Sequence, residues 1–585
     1  MKKIFLFAAA AVTFGLASCN LDDVKNISGL STENFPVMEE DGVAVLAGIY
    51  ENLNATHAYP QCSYLYMACL ASDDQLGGGG TNDKLMQALD LLCNNGNDMT
   101  NEFWKERYEG INRANTLIQA LPSTAMSDEL KNKFMGEALT LRAYYYYELA
   151  SMYGNVPLLT VPSGQLVKQG DVKVLWGQIL QDFRDAANIM PAVRTHNIDA
   201  HVDKYTAEAL LGRAWLFYTG FYGNGTTTAE LANTSYNPLT SVELPDGTTL
   251  TKQDVIGYID DCVNNSGYDL VPDFRNLWAY TNKYTVEDYD YTAGQGLKWV
   301  EDDDAVNPES MFAIKFNKLA SWSTTIGYSN GIALHFGVRD GKDDSRHYPF
   351  GVGWGAGPVA PNLVKDWIAA EPTDMRRDAT IQDWFTSSTY KWGGDGDDYV
   401  QETGYYNKKW SPIYQRKDDG SYWLFDNAMY GTTGGLEGGY GNNFQLDNIH
   451  DLVLLRFAEV LLMQSELKED VSGINKVRAR AGLPAIADYS LQALQNERRW
   501  ELACEGIRWN DERRWHIASV QLAKQENQSI FYCGSPTTNT AHNGGYAARY
   551  AATAGFQKMP ESQVALGSVV QNDGWGTADG EYSAW

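Results

Sequence analysis

Positive charge is scarce in this chain. Its 585 residues carry 46 Lys and Arg against 74 Asp and Glu, a formal net charge of −28, which excludes a nucleic-acid binder that works by neutralising phosphates. Long apolar runs are missing too. After the first nineteen residues no segment reaches the roughly 18 apolar residues of a membrane helix. Cysteine is sparse, and Cys62, Cys69, Cys93, Cys262, Cys504 and Cys533 form no CxxC pair and no metal-ligand spacing. A chain this long builds a core without staples, so most of them are expected to be small buried apolar residues. The eight His include no HExxH, and His196 and His201, with Asp199 and Asp203 nearby, read as a polar loop. Gly77 to Gly80 precede Thr81-Asn82-Asp83-Lys84. Without the Gly-Lys-Ser/Thr of a phosphate loop, this is a flexible loop and no nucleotide site. Asp302-Asp303-Asp304 and Asp395-Gly396-Asp397-Asp398 supply oxygen ligands but complete no twelve-residue calcium loop. They read as solvated surface; no cofactor is expected, a structural calcium being the alternative.

What is present begins with a leader. Lys2 and Lys3, the apolar run Ile4 to Gly15 and Leu16-Ala17-Ser18 read as a secretory signal over residues 1–18. Leu-Ala-Ser-Cys is similar to the lipobox of bacterial lipoproteins, which makes Cys19 the expected lipidated N-terminus and lipid the expected membrane attachment. Asn20, Leu21, Asp22 and Asp23 resemble an export signal toward the outer face of the outer membrane. Residues 19–36 then form a tether.

Helical periodicity dominates residues 37–269. It runs from Glu39 to Ala71, over 99–121 through Phe103, Tyr108, Ile111, Ala114 and Leu117, and over 137–153 up to the stop at Gly154 and Pro157. A third such helix spans Tyr205 to Tyr218; its small and aromatic residues resemble a tetratricopeptide-type face, without a strict 34-residue period. Between 270 and 450 the composition shifts. That stretch holds nine of the 17 Trp, 14 of the 35 Tyr and 21 of the 54 Gly, and reads as a loop-rich insertion with short strands such as Ser310 to Phe316. Residues 451–585 return to helix at 452–467 and 489–515, followed by an irregular tail from 527. On the 489–515 helix the pairs Arg498/Glu501, Glu505/Arg508 and Arg508/Glu512 are spaced to tie one face by charge-assisted bonds. Arginine neighbours argue against Glu497, Glu501 and Glu505 as catalytic acids.

Several motifs occur in a fixed order. They include Trp104-x3-Tyr108-x2-Ile111-x-Arg113-Ala114-Asn115, Glu137-Ala138-x2-Leu141-Arg142-Ala143 and Tyr153-Gly154-Asn155-Val156-Pro157. Further along come Asp374-x-Arg376-Arg377, Leu455-Arg456-Phe457-Ala458-Glu459, Asn475-x-Val477-Arg478-x-Arg480-Ala481-Gly482, Glu497-Arg498-Arg499-x-Glu501-Leu502, Glu505-Gly506-x-Arg508-Trp509 and Gln571-Asn572-x-Gly574-Trp575. In these the chain resembles the SusD/RagB family, surface lipoproteins that capture nutrients for a TonB-dependent outer-membrane transporter. The resemblance implies a mainly α fold, a tetratricopeptide-like scaffold of helical pairs carrying the aromatic insertion. It also implies a non-catalytic glycan-binding protein on the cell surface, with a SusC-like TonB-dependent transporter as partner. A peptide-binding receptor of the same architecture and, more remotely, a surface glycosidase are the alternatives.

The expected ligand site lies where the loop after the first helices meets the insertion. Asp73, Asp74 and Asn82 would hydrogen-bond hydroxyl groups, while Trp322, Tyr328 and Trp354, the last flanked by Gly353 and Gly355, would stack on sugar faces. Trp299, Trp392, Trp410 and Arg376 are secondary candidates.

Overall fold

The computed structural model describes residues 38–58, 63–96, 98–317, 329–339, 346–385, 387–431, 444–540 and 542–583. The leader, Cys19, Trp322 and Tyr328 lie outside the described residues.

Successive helices pack each on the next. Glu39–Ala58 lies against Asn101–Ala120, which packs on Asp128–Tyr153, then Val172–Ile189, Lys204–Phe221 and Lys252–Asn265. The row then passes to Phe457–Lys468 and Ser472–Arg480, far along the chain. Local chemistry sets the starts: Ser127, Asp171 and Asp203 each accept a hydrogen bond from a first-turn N–H, and Thr251 and Asp254 form a capping box. Gly154 ends the longest helix with φ 77°, a conformation glycine adopts at no steric cost. Between helices Arg142 grips Asp182 with two hydrogen bonds of 2.7 Å.

The aromatic-rich segment leaves this scaffold and returns to it at one place. Strand Ser310–Ile314 pairs antiparallel with Leu452–Arg456, so residues 315 and 451 emerge side by side. Leu452–Arg456 therefore forms a strand where helical periodicity alone suggested helix; the helix begins at Phe457. The 489–515 stretch also divides, into Leu491–Glu501 and Arg508–Arg514, with Cys504 and Gly506 at positive φ between them. Buried partners elsewhere outweigh its local i, i+4 pairing. The tail is ordered as well, into the hairpin Ser529–Tyr532/Ser535–Thr538 and the helices Tyr546–Thr553 and Glu561–Leu566.

Of the five described cysteines four are buried and all are free. The acidic clusters are matched by cations: Asp303 by Lys283 and Lys298, Asp395 by Arg346, Asp398 by Arg339. Among the described residues no group of three or more His, Cys, Asp or Glu is placed to hold a metal ion, and no helix is long and apolar enough to cross a membrane.

Candidate functional site

A buried ionic hub underlies the region where the site was expected. Arg376, fully buried, bonds Asp374, Glu497 (2.7 Å) and Glu501 (2.9 Å), and Arg456 reaches Glu309, Glu501 and Glu505. Arg480 bonds Glu309 and Glu501, and Arg498 bonds Asp511. Burial alone would raise the Glu501 carboxyl, but Arg480, Arg456 and Arg376 hold it far below the usual range.

Asp73 and Asp74 belong to this hub. Both are buried; Arg499 bonds Asp73 and Asp74 at 2.8 Å each, and Arg508 bonds Asp73 at 2.7 Å. Burial pushes the Asp73 carboxyl up, yet the two guanidinium groups more than offset it and keep it ionised. Their oxygens therefore serve the packing of helix Leu491–Glu501 rather than a surface ligand. Arg376 is enclosed in the same way. Trp299, 3% exposed, packs edge-on against Phe425, and Trp410 is buried with its indole N–H donating to the Cys504 carbonyl at 2.5 Å. None of these five reaches solvent as a platform.

The glycine loop does meet the insertion. Leu76 N donates to Pro358 O, Gly79 N to Gly355 O, Val400 N to Gly79 O and Thr81 N to Asp398 O. This loop, which the sequence suggested to be flexible, is instead close-packed: a Cβ on Gly78, at φ 68°, would lie 2.4 Å from the Gly355 carbonyl. Asn82 is exposed at its tip. Beside it Arg339 bridges Asp83 (3.0 Å) and Asp398 (2.7 Å) and donates to the Trp354 carbonyl (3.2 Å). Trp354 is half-buried against the main core. Its flanking glycines permit backbone contact rather than ring access, since a Cβ on Gly353 would sit 2.3 Å from the Leu334 carbonyl.

Next to this loop lies an aromatic surface that the sequence reading mostly missed. Phe385 is 49% exposed, stacks nearly parallel with Tyr405 (6.2 Å between centroids, 13°) and meets Trp392 edge-on at 5.7 Å. Trp392 stacks on Phe531 at 3.7 Å with planes 14° apart. Gly404 makes room for the indole, because a Cβ there would lie 2.6 Å from it. Residues 399–402 join the parts: Val400 bonds the glycine loop, while Glu402 exchanges backbone hydrogen bonds with Phe531 of the tail hairpin. Trp392 was among the candidates; Phe385, Tyr405 and Phe531 were not. The aromatic density of the insertion pointed toward the first two, whereas nothing in the tail's composition pointed to Phe531.

Behind the loop Asp90 accepts hydrogen bonds from Gln401 (2.7 Å) and Tyr546 (3.1 Å), joining loop, insertion and tail. Burial pushes its carboxyl up to about 7.

Comparison with known proteins gives consistent matches. Residues 77–221 match a family model described as starch-binding associating with outer membrane, and residues 280–575 match the model of the SusD family. SusD-like protein P2 of Formosa agariphila is 24% identical over 547 residues, covering 89% of this chain and 92% of that protein. A laminarin binding SusD-like protein superposes with TM-score 0.66 at 22% identity over 92% of this chain and all of that one. Surface glycan-binding protein A of Bacteroides thetaiotaomicron, solved with laminarihexaose, gives 0.61 at 16% identity, over 91% and 99% of the two chains. The SusD family model alone spans just over half of the sequence, and the protein belongs to the SusD family.

Proposed function

We propose that this protein is a non-catalytic glycan-binding lipoprotein of the outer cell surface, anchored through Cys19, that hands oligosaccharide or polysaccharide to a SusC-like TonB-dependent transporter. The observation that carries this reading is the half-open aromatic surface of Phe385, Tyr405, Trp392 and Phe531 beside the glycine loop. A pyranose presents an apolar face to such rings, with Asn82 and the Arg339 cluster within the same surface for its hydroxyls. Structural relatives that bind laminarin or surface glycans support the ligand class.

The acids near the rings support binding without cleavage. Glycoside hydrolysis needs one carboxyl kept protonated as general acid, but Asp83 and Asp398 are both tied to Arg339, whose hydrogen bond holds Asp398 low, and Asp383 and Glu402 accept from the Phe385 and Gly393 N–H groups. At about 1 kcal/mol per stacked ring, two or three rings plus a few hydrogen bonds give micromolar to millimolar affinity. Such a receptor captures ligand and still releases it.

The test is equilibrium binding of the chain from Asn20 onward to laminarin, starch and other polysaccharides, with reducing ends measured on the same samples. Saturable binding without new reducing ends is expected. Failure to bind any glycan, or release of product, would overturn the proposal.

A further inference from the structure

Exposed aliphatic side chains are not spread evenly over this molecule. Leu166 (57% exposed), Leu566 (61%) and Val570 (76%) stand on two segments, 157–170 and 562–572, that run side by side. Gln169 N donates to the Ser568 carbonyl at 3.1 Å, and Val570 N donates to the Gln169 side-chain carbonyl at 2.8 Å. Val161, in the same loop, and Val174, in the first turn of helix Val172–Ile189, are exposed as well. A groove of about 410 Å³ opens between the segments, walled by Trp104, Tyr108, Leu159 and Leu166 from the helical part and by Gln563 and Ser568 from the tail.

The same ground is nearly free of charge. Lys168 is the only charged residue in the two segments, whereas about one residue in five is charged over the whole chain. Carboxylates at the border are engaged: Glu102 by Lys105, Glu109 by Arg113 and Glu561 by Lys558, while Asp171 accepts from the Lys173 N–H. Lys168 and Lys173 are exposed and stand outside those ion pairs.

A face of this kind suits a lipid surface, where aliphatic side chains enter the headgroup region and lysines at the border meet phosphates. The rest of the chain carries almost all of the net charge of −28, which anionic headgroups repel. At physiological salt that repulsion is screened beyond about 8 Å, so the groups on each face decide which one settles. The anchor alone does not decide it. Nineteen residues separate Cys19 from Met38, a leash of up to about 65 Å, as long as a compact chain of this size is wide.

We propose that the face formed by 157–170 and 562–572 rests on the outer leaflet of the membrane that holds the anchor. Leu166, Leu566 and Val570 enter the headgroup region, and Lys168 and Lys173 meet lipid phosphates. The proposal rests on the Cys19 anchor of the reading above and not on its glycan. A modest affinity suffices, because the anchor holds the face at high local concentration beside the bilayer. The contact fixes the pose of the receptor, and with it the direction in which the aromatic surface faces.

The experiment is flotation of the chain from Asn20 onward with phosphatidylcholine vesicles, with and without phosphatidylglycerol, at physiological salt and up to millimolar lipid. Saturable binding is expected, several-fold stronger with phosphatidylglycerol. Combining Leu166→Ser, Leu566→Ser and Val570→Ser should weaken it at least tenfold, and Lys168→Glu with Lys173→Glu should abolish the preference for phosphatidylglycerol. All five side chains are exposed, so melting temperature and glycan binding should stay unchanged. A chain that ignores both kinds of vesicle, one that binds both equally, or a triple variant that floats as before would overturn the proposal. So would self-association without lipid, read by analytical ultracentrifugation and abolished in the triple variant, which would give the face to a second copy of the chain. Glycan titration of the same samples is read separately, so a failure of the glycan reading leaves the vesicle result standing.

Discussion

Two regions of this molecule concentrate the residues that ordinarily mark function, and they do opposite things. Around helix Leu491–Glu501 the chain gathers Arg376, Arg456, Arg480, Arg498 and Arg499 with Asp73, Glu497, Glu501 and Glu505, nearly all sealed from water. Around Phe385 it gathers neutral rings, several half open to solvent. Buried charges survive only when each finds a partner, so the first region has little left with which to hold a ligand. Rings lose little by staying half exposed, and their free faces remain available. A cluster of arginines and carboxylates in this fold thus marks the joint between segments, and the partly open aromatics mark the surface proposed to bind glycan.

Breaking the joint should give the largest effect. Glu501→Gln leaves Arg376, Arg456 and Arg480 short of a shared anion and is expected to cost about 3 to 5 kcal/mol of stability, read by chemical denaturation. Glycan affinity of the molecules that remain folded should not change. A stable variant with lost binding would reverse the assignment of the two regions.

The second effect is a pH dependence at Asp90. Burial raises its carboxyl from 3.8 to about 7, so between those values the folded chain holds a proton that the unfolded chain has released. The stability this contributes is complete below the unfolded value, falls as pH rises and levels off above about 7. Asp90→Asn is expected to flatten the melting temperature over that window and to raise it at pH 8. An unchanged pH profile would show that Asp90 is ionised in the fold.

Smaller and opposite in kind is Phe385→Ala. It removes one exposed ring and should weaken glycan binding about fivefold with almost no change in melting temperature. Smallest is Arg339→Lys, which loses the bidentate bridge between Asp83 and Asp398. It is expected to cost at most about 1 kcal/mol at this partly exposed site, with a modest loss of affinity in the same titration.

The helical scaffold was legible because apolar spacing and the stop at Gly154 and Pro157 agree locally. Leu452–Arg456 was not, since a run of four apolar residues before an arginine is ambiguous until its partner, more than a hundred residues earlier, is in place. The same non-locality governed the site. Asp73 and Asp74 look like hydroxyl-binding acids in the sequence, because the arginines that consume them lie more than four hundred residues away. The meeting of glycine loop and insertion was foreseen from the family resemblance, while the tail's share in it was not. Phe531 sits in a stretch whose Gly and Asn content suggested irregular chain, and a short hairpin across Gly534 left too little pattern to read.

The strand pair Ser310–Ile314 and Leu452–Arg456 has a consequence for how such proteins diversify. It brings the two ends of a 137-residue excursion, 315–451, together as a neck, and closing a longer or shorter loop through a fixed neck costs only about 0.6 kcal/mol per doubling of length. The neck therefore tolerates excursions of different length, while Ile332, Phe336, Ala356 and Trp410 of this one complete the core of the stacked helices. A replacement must also supply the scaffold's partners, among them an arginine where Arg376 enters the hub, a lysine where Lys409 meets Glu505, an indole where Trp410 meets Cys504 and an amide where Gln401 meets Asp90.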